Sequence, residues 1–254
     1  MENIAIENIW KRDFKDADML KVEEETRIET SNNTEKYIKK YIELKQSRNG
    51  NYISSDLMKL VFDNYAKDIE FRRKYNLAVS NSAACLANRA YKIAISKANV
   101  NHCIFVAGAY GSGKSFFIQS LYEKNKNELE NCVVYEGSIT SKAIDEKIDT
   151  AIENGVIPSI IVLNPTLELS MRNIKERASR IGRDVKKEDC VFVYSNIYGA
   201  LKRLSEKYKD ISYVIYNKES NTPIDLDVST NVEDLNHGSY DEISKEYDDI
   251  IKKI

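Results

Sequence analysis

The chain has 254 residues, of which 42% are hydrophobic and 31% are charged, so it can bury a substantial core beneath a well-solvated surface. Its formal net charge of −2 argues against nucleic acid as the main partner, because proteins that wrap nucleic acid usually carry a basic excess. No apolar run approaches the roughly 18 residues that a membrane span needs, and the N-terminal stretch lacks an apolar signal-peptide core. Four scattered cysteines and two histidines show no zinc-ligand spacing. These features predict a reduced, cytoplasmic protein without a membrane partner.

Residues 1–48 are highly charged, and their apolar residues follow helical spacing most clearly over 36–44. This pattern predicts a helical N-terminal extension, which we interpret as a solvated segment; a docking arm for a protein inhibitor is the alternative. Asn49 and Gly50 form a strong turn signal, which sets the first domain boundary.

Two helices are predicted after that turn. The first covers 57–62 and follows Ser55 and Asp56, either of which is suited to cap it. The second covers 81–97, is rich in alanine, and is predicted to pack against the sheet directly before the next strand.

A glycine-rich stretch then fits the P-loop template G-x-x-x-x-G-K-[ST], between a strand at 102–107 and a helix at 115–122. The predicted nucleotide-binding residues are Gly108, Ala109, Tyr110, Gly111, Ser112, Gly113, Lys114 and Ser115. Such a turn directs backbone N–H groups and the positive end of a helix at a polyphosphate. Lys114 would reach the β- and γ-phosphates, and the Ser115 hydroxyl would bind magnesium. The stretch predicts ATP and Mg²⁺ as cofactors; a tight turn that binds nothing is the alternative.

Strands and helices alternate in the rest of the chain. Strands are predicted at 132–135, 159–163 and 211–216, and helices at 141–154, 168–180, 188–209 and 241–254. Asn164 and Pro165 are expected to end the second strand, and Gly182 to end the helix before it in the left-handed conformation. This alternation predicts an α/β fold of three layers, with a mainly parallel sheet flanked by helices. We expect a core over 49–217, with a polar loop and a C-terminal helix over 218–254 packed on it.

Glu136 and Ser138 follow directly after a predicted strand. The carboxyl ends of parallel strands are where open α/β sheets bind ligands. Glu136 would therefore hydrogen-bond a substrate hydroxyl or support the magnesium shell, whereas an acidic turn residue is the alternative.

Four arginines fall on or just after the helix at 168–180, namely Arg172, Arg177, Arg180 and Arg183. Arginine forks stabilise the charge that develops on a transferring phosphoryl group, although a solvated basic face is the plainer interpretation. A kinase that acts on a hydroxyl also needs a carboxylate within reach of it, and Asp56 is the candidate.

The order of these motifs over about 52–217 resembles the zeta-toxin-like family of P-loop kinases. The segments that carry the resemblance are the P-loop, Tyr135-Glu-Gly-Ser138, Arg180-Ile-Gly-Arg-Asp-Val185, the helix at 200–204 and the strand at 213–217. The resemblance implies a P-loop NTPase fold and ATP-dependent phosphorylation of a hydroxyl. Nucleotide-activated amino sugars such as UDP-N-acetylglucosamine are the substrate class of the toxin members, which makes a nucleotide sugar the expected small-molecule acceptor.

Carried over by motif, the resemblance implies that Glu136 and Ser138 contact the substrate and that Arg172 and Arg183 clamp the γ-phosphate. The family's catalytic aspartate ordinarily follows the P-loop, but the segment between Ser115 and the next strand leaves no room for it. A similar segment, 52–62, precedes the P-loop instead. We interpret this segment as displaced, with Asp56 as the general base.

Two other functions stay open. A nucleotide-dependent switch ATPase needs a carboxylate at the end of an apolar strand. The residues at such positions are Glu136 and Asn164, and no apolar run ends in aspartate, which disfavours this function. A non-catalytic regulator would keep the fold for binding alone, but the intact Lys114 and Ser115 argue against it. For a kinase, the acceptor could also be a nucleoside or a polynucleotide 5′ end, and the net charge disfavours the polynucleotide.

Overall fold

A computed structural model describes residues 2–125, 127–220 and 226–253. The chain divides into two compact units. The first unit is Met1–Ala98 with Ile181–Arg183, and the second unit is Asn99–Arg180 with Asp184–Ile254. Within the described ranges, no helix is long and apolar enough to cross a membrane.

The first unit is mainly helical. Its elements are α1 (Ala17–Asn32), α2 (Thr34–Glu43), β1 (Tyr52–Ser54), α3 (Ser55–Met58), α4 (Asp63–Lys67), α5 (Ile69–Tyr75) and α6 (Ser80–Ile95). The predicted helices over 36–44 and 81–97 are confirmed by α2 and α6. Helix α6 buries a stripe of small and apolar side chains, which lets α3 pack closely against it.

The segment after β1 begins its helix two residues earlier than predicted, at Ser55 instead of Leu57. Ser54 has extended backbone, and its Oγ accepts a hydrogen bond from the Leu57 N–H, so Ser54 is the N-cap. The prediction that Ser55 or Asp56 caps this helix is wrong, because both residues lie inside the first turn of α3. The Asp56 carboxylate is therefore available to side-chain partners.

Buried Tyr41 of α2 holds β1 in place. Its side chain is fully buried, and its hydroxyl donates to the Tyr52 carbonyl oxygen at 2.8 Å. The same hydroxyl oxygen accepts the Ser54 N–H at 3.0 Å. One phenol thus satisfies two buried backbone groups immediately before Asp56.

The second unit contains strands and helices in alternation. Its elements are β2 (His102–Gly108), α7 (Lys114–Lys124), β3 (Cys132–Glu136), α8 (Ala143–Glu153), β4 (Ile157–Pro165), α9 (Leu167–Ile181), α10 (Lys187–Lys207), β5 (Ser212–Lys218), β6 (Leu226–Ser229) and α11 (Tyr240–Ile251). Its strands lie side by side in the order β3-β2-β4-β5-β6. The first three pairs are parallel and the last is antiparallel. Helices α7 and α8 pack on these strands, so the predicted α/β class with a mainly parallel sheet and flanking helices is confirmed.

The apolar strand β4 lies between β2 and β5 and pairs with both. Val162 and Leu163 are completely buried, as a strand covered on both faces requires. The prediction that Asn164 and Pro165 lie beyond the end of this strand is wrong. Both belong to β4 as its last two residues, because the ladder with β5 continues through them, and Pro165 pairs with Lys218.

Strand β6 was not predicted, because the sequence after 217 reads as a polar loop. Its four residues pair antiparallel with the end of β5, from Leu226 opposite Lys218 to Ser229 opposite Ile215. A strand this short gives almost no alternation to detect, and the neighbouring strand supplies its order. The predicted C-terminal helix is confirmed by α11, whose Ser239 and Glu242 form a capping box.

The Tyr41 hydroxyl should contribute more to the free energy of unfolding than the hydroxyl of an exposed tyrosine. We expect Tyr41→Phe to lower the free energy of unfolding by about 1–3 kcal/mol, because it leaves two buried backbone groups without their partner. Chemical denaturation measures the change, with Tyr240→Phe, an exposed tyrosine on α11, as the matched control. Equal stability of the two variants would contradict the role given to Tyr41.

Candidate functional site

The predicted P-loop joins β2 to α7 through glycines with positive φ. Gly108, at the end of β2, has φ 144° and lies opposite Leu163 of β4 in the parallel ladder. A Cβ at Gly108 would stand 2.5 Å from the Leu163 carbonyl oxygen. Only glycine therefore allows β4 to pair this closely at the point where the loop begins.

Helix α9 packs directly on the middle of the loop. Gly111 has φ 73°, and a Cβ there would overlap the carbonyl oxygen of Ser170. The Asn173 side-chain amide donates to the Gly111 carbonyl oxygen at 2.8 Å. The first turns of α9 thus fix the loop backbone through both close packing and a hydrogen bond.

Lys114 begins α7, and its side chain folds back across the loop. Its ammonium group donates to the carbonyl oxygens of Gly108 at 3.0 Å and Ala109 at 2.9 Å. A phosphate at the loop would offer this ammonium group charged oxygens, which form stronger hydrogen bonds than neutral carbonyls do. The predicted role of Lys114 at the phosphates stays a prediction.

The Ser115 hydroxyl lies against the Glu136 carboxylate. Its Oγ is 3.3 Å from both Glu136 oxygens. The two residues meet because β3 pairs in parallel with β2, and Glu136 lies opposite Val106 near the start of the loop. Both residues were predicted from the sequence as separate candidates, and the structure brings them together.

This pair fits magnesium by the chemistry of its donors. Mg²⁺ prefers oxygen ligands and usually takes one or two from protein, completing its shell with water and substrate phosphates. A serine hydroxyl beside a carboxylate supplies such a partial shell. In the part of the chain that the structure describes, no three side chains of His, Cys, Asp or Glu converge to hold a metal by themselves.

Ser138 lies in the turn after β3, two residues beyond Glu136. Its hydroxyl is 2.7 Å from the Thr140 hydroxyl, and it accepts the Thr140 N–H. Ser138 itself is exposed, whereas the next residue, Ile139, is buried. Its predicted contact with substrate stays a prediction.

Arg172 lies on the exposed face of α9. It forms an i,i+4 ion pair with Glu168, and 63% of its side chain is exposed. Ion pairs this exposed contribute little to stability. The structure therefore places Arg172 as the solvated-face alternative describes, and its role as a phosphate clamp stays a prediction.

Asp56 and Arg183 are paired with each other in the first unit. One Asp56 oxygen contacts the Arg183 guanidinium, and the other lies 3.1 Å from the ammonium group of Lys59. Lys59 also donates to Asn76 Oδ1 at 2.9 Å. Burial lowers the pKa of Lys59, and the Asp56 carboxylate acts against that shift. Two residues predicted separately, as a base and as a phosphate clamp, thus belong to one charged cluster.

Lys218 is a candidate that sequence reasoning missed. It is the last residue of β5, and its ammonium nitrogen lies 3.3 Å from the place that a Cβ would take on Gly113. Burial lowers its pKa. The one signal in the sequence was its position at the carboxyl end of a parallel strand, where ligands bind.

A comparison with protein-family models finds no family that matches this sequence, and a comparison with curated proteins finds no match either. The assignment of the site therefore depends on its own residues and geometry.

The contact between α9 and the loop can be tested with two glycines of similar backbone conformation. Gly111 and Gly155 have φ near 70°, but a Cβ at Gly155 would meet no atom within 4 Å. We expect Gly155→Ala to lower the free energy of unfolding by about 1–2 kcal/mol through backbone strain alone. Gly111→Ala should cost about 1–3 kcal/mol more, because its methyl group collides with the α9 backbone. Thermal and chemical denaturation compare the two variants. An equal loss would show that α9 does not constrain the loop.

Proposed function

We propose that this protein is an ATP-dependent kinase of the P-loop NTPase fold that phosphorylates a hydroxyl of a small molecule. The observation that supports it most is the contact between the Ser115 hydroxyl and the Glu136 carboxylate at the edge of a P-loop. P-loop enzymes hold magnesium between such groups and the β- and γ-phosphates. The sequence motif and the Ser115–Glu136 contact both support a magnesium nucleoside triphosphate as the bound species.

The loop and the residues beside it have separate roles in this proposal. The loop N–H groups and the positive end of α7 bind phosphate oxygens. Lys114 exchanges the carbonyl oxygens of Gly108 and Ala109 for the β- and γ-phosphates. Ser115 and Glu136 would hold magnesium, which supplies positive charge beside the phosphates when it is bound.

The acceptor side of the proposal rests on Asp56 and on the resemblance of the sequence to zeta-toxin-like kinases. A base accepts the proton of the acceptor hydroxyl as its oxygen bonds to the γ-phosphorus and the bond to ADP breaks. The Asp56 carboxylate is oriented by Lys59 and Arg183, as a positioned base must be. A nucleotide sugar is the acceptor that the resemblance favours.

A switch ATPase is the second candidate, because the position of Glu136 also suits it. Glu136 ends an apolar strand beside the P-loop strand, and its carboxylate contacts Ser115. Such a protein would hydrolyse ATP without an acceptor, and it would not need Asp56. The two functions therefore differ in acceptor dependence.

Substitutions of Lys114 and Asp56 distinguish the kinase from the switch ATPase. With a panel of nucleotide sugars, nucleosides and 5′-hydroxyl oligonucleotides, we expect ADP release that depends on one acceptor. Lys114→Ala should reduce it by at least about 100-fold, because a phosphate-binding cation is lost. Asp56→Asn should reduce it by about 100- to 10,000-fold, the usual contribution of a general base. Coupled-enzyme detection of ADP measures both.

The control for this experiment is Lys124→Ala, an exposed lysine at the other end of α7, which should leave turnover unchanged. Hydrolysis that needs no acceptor and survives Asp56→Asn would overturn the kinase and establish the ATPase. No ATP binding by the folded wild type would overturn both.

Glu136→Gln tests the magnesium assignment. The substitution keeps the shape of the side chain and removes its charge, so magnesium loses a carboxylate from its shell. We expect the Mg²⁺ concentration needed for half-maximal ADP release to rise about tenfold or more. Titration of MgCl₂ at saturating ATP measures the change, with Glu123→Gln, an exposed residue of α7, as the control. An unchanged Mg²⁺ requirement would remove Glu136 from the metal site.

A further inference from the structure

A cavity of about 280 Å³ opens at the carboxyl ends of β4 and β5 in the second unit. The lining residues that matter here are Asn164, Tyr194, Lys218, Glu219, His237 and Glu246. The cavity lies beside the P-loop through two connections. Asn164 directly follows Leu163, the ladder partner of Gly108. The Lys218 ammonium nitrogen lies 3.3 Å from the position that a Cβ would take on Gly113.

A hydrogen-bonded network fixes the polar wall of this cavity. The Asn164 amide nitrogen donates to Asn217 Oδ1 at 2.7 Å and to the Asp234 carbonyl oxygen at 2.9 Å. Asn164 Oδ1 must therefore accept, so the His237 Nε2 that lies 2.8 Å from it carries a proton. The His237 ring also packs edge to face on buried Tyr194, with ring centroids 4.9 Å apart. This arrangement holds the imidazole in one orientation.

The polar wall of the cavity consequently presents mainly hydrogen-bond acceptors. Burial lowers the pKa of His237, which favours the neutral ring, and its Nδ1 is then an acceptor. Asn164 Oδ1 has a second lone pair, and the side chains of Glu219 and Glu246 add carboxylate oxygens. Lys218 places positive charge at the end of the cavity nearest the P-loop.

This distribution of charge fits a nucleotide in only one orientation, with its phosphates toward the P-loop and its nucleoside in the cavity. Carboxylates repel phosphate, so phosphates belong at the P-loop and Lys218. A nucleoside offers ribose hydroxyls and amino or imino groups of the base, which are donors for an acceptor wall. The volume is at the small end of ligand pockets, which suits a nucleoside and excludes a second complete nucleotide.

We propose that this cavity binds the nucleoside part of the nucleotide whose phosphates lie at the P-loop, through the donor groups of its ribose and of an amino-bearing base. The inference rests on the proposed function, because it takes the P-loop as the phosphate site. His237 and Glu246 are then residues that read the nucleoside and leave the phosphates untouched.

Calorimetry can distinguish the affinity that comes from the phosphates from the affinity that comes from the nucleoside. The full-length protein is titrated in MgCl₂ with inorganic pyrophosphate and with the diphosphates of adenosine, guanosine, cytidine and uridine. We expect at least one amino-bearing nucleoside diphosphate to bind about tenfold or more tightly than pyrophosphate, the equivalent of one or two good hydrogen bonds.

The variants are His237→Leu, which removes the ring nitrogens, and Glu246→Trp, which fills the cavity from the exposed side of α11. Both should weaken the preferred nucleoside diphosphate about tenfold and change pyrophosphate binding less than about twofold. Lys245→Trp, one residue away on the exposed surface of α11, is the matched control and should change neither.

Each outcome decides something different. If the wild type binds every nucleoside diphosphate no more tightly than pyrophosphate, the nucleoside cavity is wrong and the phosphate site stands. The nucleoside cavity is also wrong if both variants keep their preference for the nucleoside diphosphate. If the folded wild type binds neither pyrophosphate nor any nucleotide, the proposed function itself is wrong, and the inference is lost with it.

Discussion

The parallel pairing of β2 with β3 on one side and with β4 on the other is the constraint on which the candidate site depends. Because parallel strands end at the same edge, each neighbour brings one of its residues to the loop that follows β2. Strand β3 brings Glu136 to Ser115. Strand β4 brings Leu163 so close to Gly108 that a side chain there has no room. One strand farther on, β5 places Lys218 over Gly113.

The charges around the loop suit the polyphosphate and the divalent cation of the proposed function. The positive end of α7, Lys114 and Lys218 would together draw a polyphosphate to the loop. Glu136 would repel that polyphosphate if it acted alone. A carboxylate at this position makes physical sense when a divalent cation lies between it and the phosphates, and the neighbouring Ser115 hydroxyl adds the second oxygen ligand. The same acidic residue that argues against a simple phosphate site therefore argues for a magnesium-dependent one.

The sequence predicted the features that apolar periodicity and glycine spacing encode. It did not predict the residues that neighbouring strands bring to the site. The strand–loop–helix around the P-loop was readable because apolar runs of the right length flank a fixed motif. Helices α4 and α5 were not, because both are short and highly charged, with no apolar period to detect. Lys218 is the last residue of an ordinary strand, and only the sheet order brings it to the loop. The partnership of Asp56 with Arg183 joins residues far apart in sequence, which no local pattern can show.

Packing alone does not explain the charged cluster around Asp56, and the proposed function gives the cluster a role. Lys59 is buried, with 6% of its side chain exposed, so its ammonium group has lost most of its hydration. Asp56 itself is 42% exposed, so the pair is only partly buried, and replacing the members of such charged clusters with apolar side chains often leaves a protein equally or more stable. The surrounding helices α3 and α6 already pack through apolar residues and do not require the charges. A carboxylate paired with a lysine and an arginine contributes little to packing, whereas a fixed carboxylate is what the proposed role of Asp56 as a base would require.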